Sequence, residues 1–324
     1  MKRVVALLAA ALAITLAACG GGGAEPGAPQ RATLVLDFQP NAVHAGIYAA
    51  EREGYYRDAG VEVSVQQPSA STDAPKLLIA GRAQFAILDI HDLAIARERG
   101  LRVVAVAPIV QRPLASVIAA DRGVVRSPDD LAGKSVGVTG LPSDDAVLDS
   151  VLRAGGVAPG SVRRVTIGFQ AVSSLAAGKV AAATAFWNAE GVTLRRRGIP
   201  IRVFRVDRYG APRYPELVLC TTGRLISAEP SLVRSVVDAT ARGYSFAVDH
   251  PGPALASLTD SVPDLDAADQ RAELSSLLRA HAFSPPGRFH LATLRAWARW
   301  DQAHGVVRRR PDVRAAFWGP ATGR

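Results

Sequence analysis

Short apolar runs alternate with helical patterns along most of the chain, and this alternation restricts the fold more than any other feature. Runs at 33–36, 61–66, 85–88 and 103–110 predict strands, and the segments 42–53, 74–80 and 91–99 between them have the apolar spacing of helices. Gly54, Gly81 and Gly100 stand where these helices should end, because glycine readily adopts the left-handed conformation that follows many helices. The pattern predicts a mostly parallel sheet with helices on both faces.

A second α/β unit follows the first. Strands are predicted at 117–120, 135–138, 164–167, 182–186, 201–206 and 217–221, and helices at 144–154, 171–177 and 190–197. Ser127 and Pro128 have the residue types of a helix start. From 227 to the end the pattern is almost purely helical. Two lobes and a helical C-terminal segment allow several arrangements, one of which has two chain crossings that form a hinge beside a cleft.

The N-terminus has the features of an export signal. Lys2 and Arg3 precede the uncharged stretch 4–18, and the following Cys19 stands in a Leu-Ala-Ala-Cys-Gly sequence that resembles the bacterial lipobox. We therefore predict a signal peptide at 1–18, lipidation of Cys19 and a flexible Gly/Pro/Ala-rich tether at 19–30. The alternative is an ordinary signal peptide that happens to contain a cysteine.

Charge and cysteine content argue against a nucleic-acid-binding protein and against a fold held by disulfides. The formal net charge is +9, which falls by two to +7 without Lys2 and Arg3. Lysine occurs only four times among 38 basic residues, so the excess is arginine in a composition typical of GC-rich genomes, without interleaved aromatics that would stack nucleic-acid bases. The chain has two cysteines, and Cys19 is predicted to carry the lipid. Cys220 is then the one free cysteine of the mature chain, so no intrachain disulfide is predicted.

Polar side chains follow the first predicted strand and open the first helix. Asp37 and Phe38 stand at the end of the strand, Asn41 can cap the helix, and His44 falls in its first turn. The helix dipole favours a neutral imidazole there. Ligands of open α/β sheets bind beyond the carboxyl ends of the strands, so these are candidate ligand residues. Capping alone is the alternative for Asn41.

Two further loops also follow predicted strands and lead into predicted helices. One contains Asp89 and His91, and Asp89 or Asp92 can instead cap the following helix. The other contains Gly140 and Ser143 in a strand-to-helix turn, which can bind an anion through free amides or simply carry a cap. The turn lacks the Walker pattern, so nucleotide hydrolysis is not predicted. The histidines and carboxylates also lack the paired spacing of zinc motifs, so no metal is predicted.

The fourth loop follows the strand at 182–186. Trp187 can stack on a flat ring or belong to the core, and Asn188 is its neighbour. Glu190 begins a helix, where the dipole favours a carboxylate that can accept hydrogen bonds from a ligand. Because no Ser/His/Asp or paired-carboxylate arrangement is found, the loops indicate binding and no catalytic residue.

The segments 37–56, 76–85 and 207–219 resemble the substrate-binding proteins of ABC importers for the thiamine pyrimidine precursor, which share a superfamily with the eukaryotic pyrimidine-precursor synthases. The resemblance rests on Pro-Asn, Gly-Ile-Tyr and Gly-Tyr-Tyr motifs in the first segment and extends over about 33–250. Most members have tryptophan where this chain has Phe38, and the His91-Asp92 pair is a departure from their Ser or Thr. The synthases have a cysteine-rich motif that this chain lacks.

The resemblance implies an α/β fold of the periplasmic-binding-protein type II, a two-lobed clamshell with two crossings at the hinge and a helical C-terminal segment. The first lobe would comprise 31–112 plus 215–324, and the second 113–214. It also implies a monomeric lipoprotein on the outer face of the cell membrane, without cofactor, that delivers a small heteroaromatic ligand to an ABC permease with a cytosolic ATPase. The alternatives are the same fold with riboflavin, an alkanesulfonate or nitrate, or an exported enzyme of pyrimidine metabolism.

Overall fold

The computed structural model describes residues 29–70, 72–121 and 125–319. The predicted signal peptide, Cys19 and all but the end of the tether lie outside the described residues. Among those described, ten strands form two five-stranded sheets. The strands are β1 Gln30–Val35, β2 Val61–Gln66, β3 Phe85–Asp89, β4 Val103–Val110, β5 Ala115–Ala120, β6 Ser135–Val138, β7 Arg163–Thr166, β8 Ala182–Phe186, β9 Ile201–Arg205 and β10 Leu217–Thr222.

The α-helices agree closely with the sequence pattern. They are α1 Ala45–Arg52, α2 Tyr55–Asp58, α3 Asp73–Ile79, α4 Ile90–Glu98, α5 Pro142–Ala154, α6 Ala171–Ala176, α7 Glu190–Arg196, α8 Gly223–Ala228, α9 Pro230–Asp249, α10 Pro251–Ser261, α11 Ala267–Arg279, α12 Leu291–Ala303 and α13 Val313–Ala316. The predicted helix 42–53 is divided into a 3₁₀ turn, Ala42–His44, and α1. No helix in the described part of the chain is both long and apolar enough to cross a membrane.

The two sheets have the same topology. The strand order is β2-β1-β3-β10-β4 in the first sheet and β7-β6-β8-β5-β9 in the second. Four strands of each sheet run in one direction, and β10 or β5 runs antiparallel to its neighbours. Each antiparallel strand is the first one after the chain has crossed from the other sheet. We call each sheet with its helices a lobe; the predicted two-lobed clamshell is confirmed, while the residue boundaries of the lobes remain predictions.

Each sheet is covered on both faces, as the alternation of strands and helices predicted. Neighbouring residues of a strand point to opposite faces because the backbone is pleated. In the first sheet Leu34 belongs to one apolar core and Val35 to the other. In the second sheet Val117 and Ile118 divide in the same way.

The C-terminal helices complete the first lobe. Helix α9 crosses α1 so closely that a Cβ atom at Gly243 would lie 2.0 Å from the carbonyl oxygen of Gly46. Tyr244 then donates a hydrogen bond to the Val43 carbonyl, 2.8 Å away. Glycine is required at this contact, and it seats the C-terminal segment on the helix that follows β1.

Candidate functional site

A cavity lies between the two lobes, and its space of about 820 Å³ is partly open to solvent. It is situated beyond the carboxyl ends of β1 and β3 in the first lobe and of β6 and β8 in the second, where helices leave to opposite faces and open α/β sheets bind ligands. Its polar lining residues are Asp37, Asn41, Asp89, Asp92, Ser116, Thr139, Ser143, Asp144, Thr184 and Glu190.

Acidic side chains dominate the polar part of this cavity. Asp37, Asp89, Asp92, Asp144 and Glu190 line it, whereas no arginine, lysine or histidine is found among the described lining residues. Ionised carboxylates only accept hydrogen bonds. The cavity therefore suits a ligand that is neutral or cationic and that presents N–H donors.

Carboxylates of the chain itself accept backbone amide hydrogens in three strand-to-helix segments beside the cavity. The His91 amide donates to Asp89 Oδ1 at 2.7 Å, the Thr139 amide to Asp144 Oδ2 at 2.6 Å, and the Phe186 amide to Glu190 Oε2 at 3.0 Å. Free amides at a helix start can bind an anion. Here the turn that contains Gly140 and Ser143 has its Thr139 amide engaged by Asp144, which disfavours an anionic ligand.

Burial raises the pKa of the cavity carboxyls. Desolvation, with smaller contributions from Asp144 and Asp37, raises the pKa of Glu190 to about 7. Desolvation and the neighbouring Asp89 raise the pKa of Asp92 to about 8, although Ser143 donates a hydrogen bond to it from the other lobe. A ligand that brings donors or positive charge would compensate this concentration of acidic groups.

Aromatic side chains form the apolar part of the cavity. Phe38 of the first lobe and Phe169 of the second meet edge to face, with ring centroids 4.4 Å apart. Phe186, at the end of β8, also lines the space. Together with the contact between Asp92 and Ser143, the phenylalanine pair joins the lobes across the cleft. A flat ring bound here would contact aromatic surface from both lobes.

Six of the residues predicted from sequence line the cavity: Asp37, Phe38, Asn41, Asp89, Ser143 and Glu190. His44 is fully buried beside them. Its Nε2 lies 2.9 Å from Asp37 Oδ1, and its Nδ1 accepts from the Asn41 amide at 3.2 Å. His44 thus fixes two cavity residues without lining the cavity itself. Gly140 lies between the lining residues Thr139 and Leu141 but is not one of them.

The structure places three other predicted ligand residues outside the cavity. Trp187 is almost fully buried, donates from Nε1 to the Pro113 carbonyl at 3.0 Å, and has the Arg205 guanidinium 4.4 Å from its ring centroid. Asn188 is fully buried next to it. His91 is also fully buried, with Nδ1 2.7 Å from Asp301 Oδ1. These side chains point into packed protein, which corrects their assignment as ligand contacts.

Asp92, Asp144 and Phe169 are among the lining residues that the sequence did not identify as ligand residues. Asp92 can be a helix cap and Asp144 directly follows Ser143, so the signal that could have found them is the presence of carboxylates beside two candidate ligand residues. Phe169 stands in the short connection between β7 and α6, where no sequence pattern marks it. Only the approach of the two lobes brings it to Phe38.

The ligand-free protein is expected to become less stable as the pH rises from about 5 to 8. The folded-state pKa of Glu190 is about 7 against an ordinary value of 4.5, so the folded chain binds more protons than the unfolded chain in this window. Stability must then fall as the pH rises through it. Urea unfolding at several pH values measures this, and Glu190→Gln should reduce the fall between 4.5 and 7. A stability that increases with pH across this window would contradict the assigned acidity.

Comparison with known proteins gives the following relations. A family model described as NMT1/THI5 like matches residues 41–254. The formylaminopyrimidine-binding protein of Halalkalibacterium halodurans is 29% identical over 310 residues, which cover 93% of each chain. The 4-amino-5-hydroxymethyl-2-methylpyrimidine phosphate synthase of Legionella pneumophila is 22% identical over 72% of this chain and 75% of its own.

A solved structure confirms the fold. The alkanesulfonate-binding protein SsuA from Xanthomonas axonopodis pv. citri, bound to MOPS, superposes with a TM-score of 0.72 at 16% identity, over 90% of this chain and 98% of that chain. At this identity the similarity establishes the type II clamshell architecture alone.

Proposed function

The chain belongs to the NMT1/THI5-like family, and from that premise we propose that it is an extracytoplasmic solute-binding protein of an ABC importer that captures an amino-bearing heteroaromatic compound. A thiamine pyrimidine precursor is the ligand we favour. The observation that supports this choice most directly is the cavity itself, with five carboxyls and three phenylalanines and no basic side chain among its described lining residues.

The proposed capture uses both parts of the lining. The ring lies against the phenylalanine pair formed by Phe38 and Phe169. Its amino group and ring edge donate hydrogen bonds to carboxyl oxygens of the cavity. Glu190 is one of these acceptors, in addition to the bond that its Oε2 accepts from the Phe186 amide. The lobes close about the two crossings and surround the ligand. The closed form then presents both lobes to a membrane permease, driven by a cytosolic ATPase.

Anionic ligands of the same fold are poorly matched to this site. Sulfonate, nitrate and phosphate groups need arginine, lysine or free amides. The described lining offers five carboxyls instead, and one backbone amide in each of three adjacent strand-to-helix segments is engaged by Asp89, Asp144 or Glu190. The same argument favours an unphosphorylated pyrimidine over its phosphate ester.

The rival proposal is an enzyme, as the name of the Legionella relative suggests for that protein. The mature chain would offer Cys220 as a nucleophile, but this side chain is fully buried in β10 and burial raises the pKa of its thiol. A thiol in that state is a poor nucleophile. We therefore favour binding, with lipidation at Cys19 as the proposed membrane anchor and a monomer as the proposed state.

A thermal-shift panel tests the proposed ligand. Formylaminopyrimidine is expected to stabilise the protein by about 2.7 kcal/mol at one hundred times its Kd. In a matched pair, 4-amino-5-hydroxymethyl-2-methylpyrimidine should stabilise it more than the phosphate ester does, because the ester would place an anion among carboxyls.

Riboflavin, an alkanesulfonate and nitrate complete the panel. Stabilisation by the sulfonate or nitrate, with none by the pyrimidines, would overturn the proposal. Turnover of a pyrimidine by the purified protein would favour the rival enzyme instead.

A further inference from the structure

An arginine-rich surface lies on the first lobe, away from the ligand cavity and beyond the residues 41–254 that the family model matches. The segment 288–314 contains seven arginines, no lysine and two acids, and one of the acids, Asp301, is fully buried. Two adjoining surface depressions in it share Arg310 and Asp312. The exposed arginines in and beside these depressions, which we call the arginine surface, are Arg295, Arg299, Arg308, Arg309, Arg310 and Arg314.

The chain itself neutralises little of this charge. None of the six arginine side chains forms an ion pair with an acid in the described part of the chain. Glu98 Oε1 accepts from the amides of Arg308 and Arg309 at 2.7 and 2.9 Å, and Asp312 Oδ1 accepts from two amides at the start of α13. These two carboxylates stand against six arginines, so the surface is strongly positive.

The abundance of arginine in the whole chain does not explain this arrangement. The other dense run of exposed arginines, 195–197, lies at the end of α7 in the second lobe. There Arg196 is paired with Asp269. Composition accounts for the number of arginines, whereas the lack of acidic partners is a property of the arginine surface.

The arginine surface reaches the edge of the first lobe from which the predicted tether leaves. Strands β1, β3 and β4 run in the same direction with their carboxyl ends towards the cavity, so Gln30 and Val103 begin at the opposite edge. Helix α4 starts beside the cavity and returns along the sheet to Glu98. Because Glu98 binds the amides of Arg308 and Arg309, these two residues lie at the same edge as the end of the tether.

The tether limits how far this edge can be from a bilayer. Residues 19–30 span at most about 40 Å when fully extended. A lipid on Cys19 would therefore keep the arginine surface close to the headgroups. Basic side chains near an anionic membrane are attracted to it, and the attraction increases with each arginine that comes within a Debye length.

We propose that the arginine surface binds the anionic headgroups of the membrane to which Cys19 is anchored, as a second attachment that holds the first lobe by its outer edge. This inference rests on the proposed extracytoplasmic, lipid-anchored state of the protein. A lipid chain together with a basic surface is a stable combination for membrane attachment. The six arginines all belong to the first lobe, so the second lobe remains free to open and close over the cavity.

Vesicle flotation of the mature chain with Cys19→Ser, which carries no lipid, tests the surface by itself. The protein is expected to bind vesicles of phosphatidylcholine mixed with phosphatidylglycerol, and to bind pure phosphatidylcholine vesicles at least about tenfold more weakly. Sodium chloride should release it, because the Debye length shortens as the salt concentration rises. Equal binding to the two kinds of vesicle, or binding to neither, would overturn the proposal.

Two matched triple variants separate the arginine surface from net charge. Arg308→Gln, Arg309→Gln and Arg310→Gln together should weaken binding to the anionic vesicles at least about tenfold. Arg195→Gln, Arg196→Gln and Arg197→Gln remove the same charge from the second lobe and should change it by less than about twofold. Equal losses in the two triple variants would show a net-charge effect and refute the assigned surface.

Sodium sulfate distinguishes headgroup binding from a site for a free anion. At equal ionic strength, sulfate and chloride should release the protein from the vesicles to a similar extent, because both act by screening. A much stronger release by sulfate would identify the depressions as a free-anion site, and the membrane proposal would fail. Pyrimidine affinity, measured in solution, should be the same in both triple variants as in the native chain. Absence of pyrimidine binding by the native chain would refute the proposed ligand and leave the vesicle result standing.

Discussion

Replacement of His91 by leucine is expected to lower the free energy of unfolding by about 3–5 kcal/mol, the usual cost of removing one partner from a buried ion pair. His91 and Asp301 both have fully buried side chains, 2.7 Å apart. Burial alone would lower the pKa of the imidazole, but the carboxylates of Asp301, Asp89 and Glu216 raise the pKa of His91 to about 10. Removal of the imidazole would leave the Asp301 carboxyl buried without this partner.

Urea unfolding at pH 7 measures this loss. The exposed His290→Leu serves as a matched control and should change stability by less than about 0.5 kcal/mol. The pair's stabilisation should be complete below the ordinary pKa of 6.5 and decline as the pH rises towards 10, because the folded-state pKa is raised. A loss in His91→Leu no larger than in the control would show that the pair is not ionised.

Replacement of Glu190 by glutamine is expected to weaken the binding of formylaminopyrimidine by about 10- to 100-fold, the equivalent of one hydrogen bond to a charged group. Oε2 of Glu190 accepts from the Phe186 amide at 3.0 Å, and the carboxylate has further acceptor lone pairs for the ligand. In glutamine the carbonyl oxygen must serve Phe186, and the amide group would then face the ligand's own donors. Calorimetric titration of both proteins measures the difference.

The exposed Glu53→Gln has the same change in charge and should bind like the native chain. The native affinity should also fall as the pH drops below about 7, where Glu190 takes up a proton. Equal affinity of Glu190→Gln and the native chain would show that Glu190 does not accept from the ligand. It would leave the fold and the acidic cavity in place and move the ligand contact to another carboxyl.

The protonation of the cavity carboxyls determines which ligands bind most favourably. Five carboxyls face the cavity, and raised pKa values at Glu190 and Asp92 keep some of them protonated near neutral pH. A ligand with N–H donors replaces these protons as the partner of the oxygens. Binding should therefore be most favourable for rings that bring several donors and no negative charge.

The sequence was sufficient for the elements and for part of the site. The strand β2 and the strand β8 were predicted with the bounds that the structure has. Such elements can be predicted because apolar periodicity and helix-terminating glycines are local properties of the sequence. Asp37, Asn41 and Glu190 were placed correctly at the cavity for a similar reason, since they directly follow predicted strands whose carboxyl ends lie at one edge of a sheet.

The sequence could not determine which loop side chains turn towards the cavity. Trp187 directly follows β8, yet its ring packs beside Pro113, and Phe186 lines the cavity instead. A shift of one residue at the end of a strand moves a side chain to the opposite face. The local sequence pattern does not determine which of the two faces the side chain takes.

Only the tertiary structure determines which residues distant along the chain are in contact. His91 meets Asp301, which is 210 residues away, and Glu216 meets the Leu114 amide, which is 102 residues away. Strand and helix patterns define which elements form, because they depend on neighbouring residues. The charge state of a buried group depends instead on what the folded chain places beside it, and for His91 that is an acid contributed by a different element.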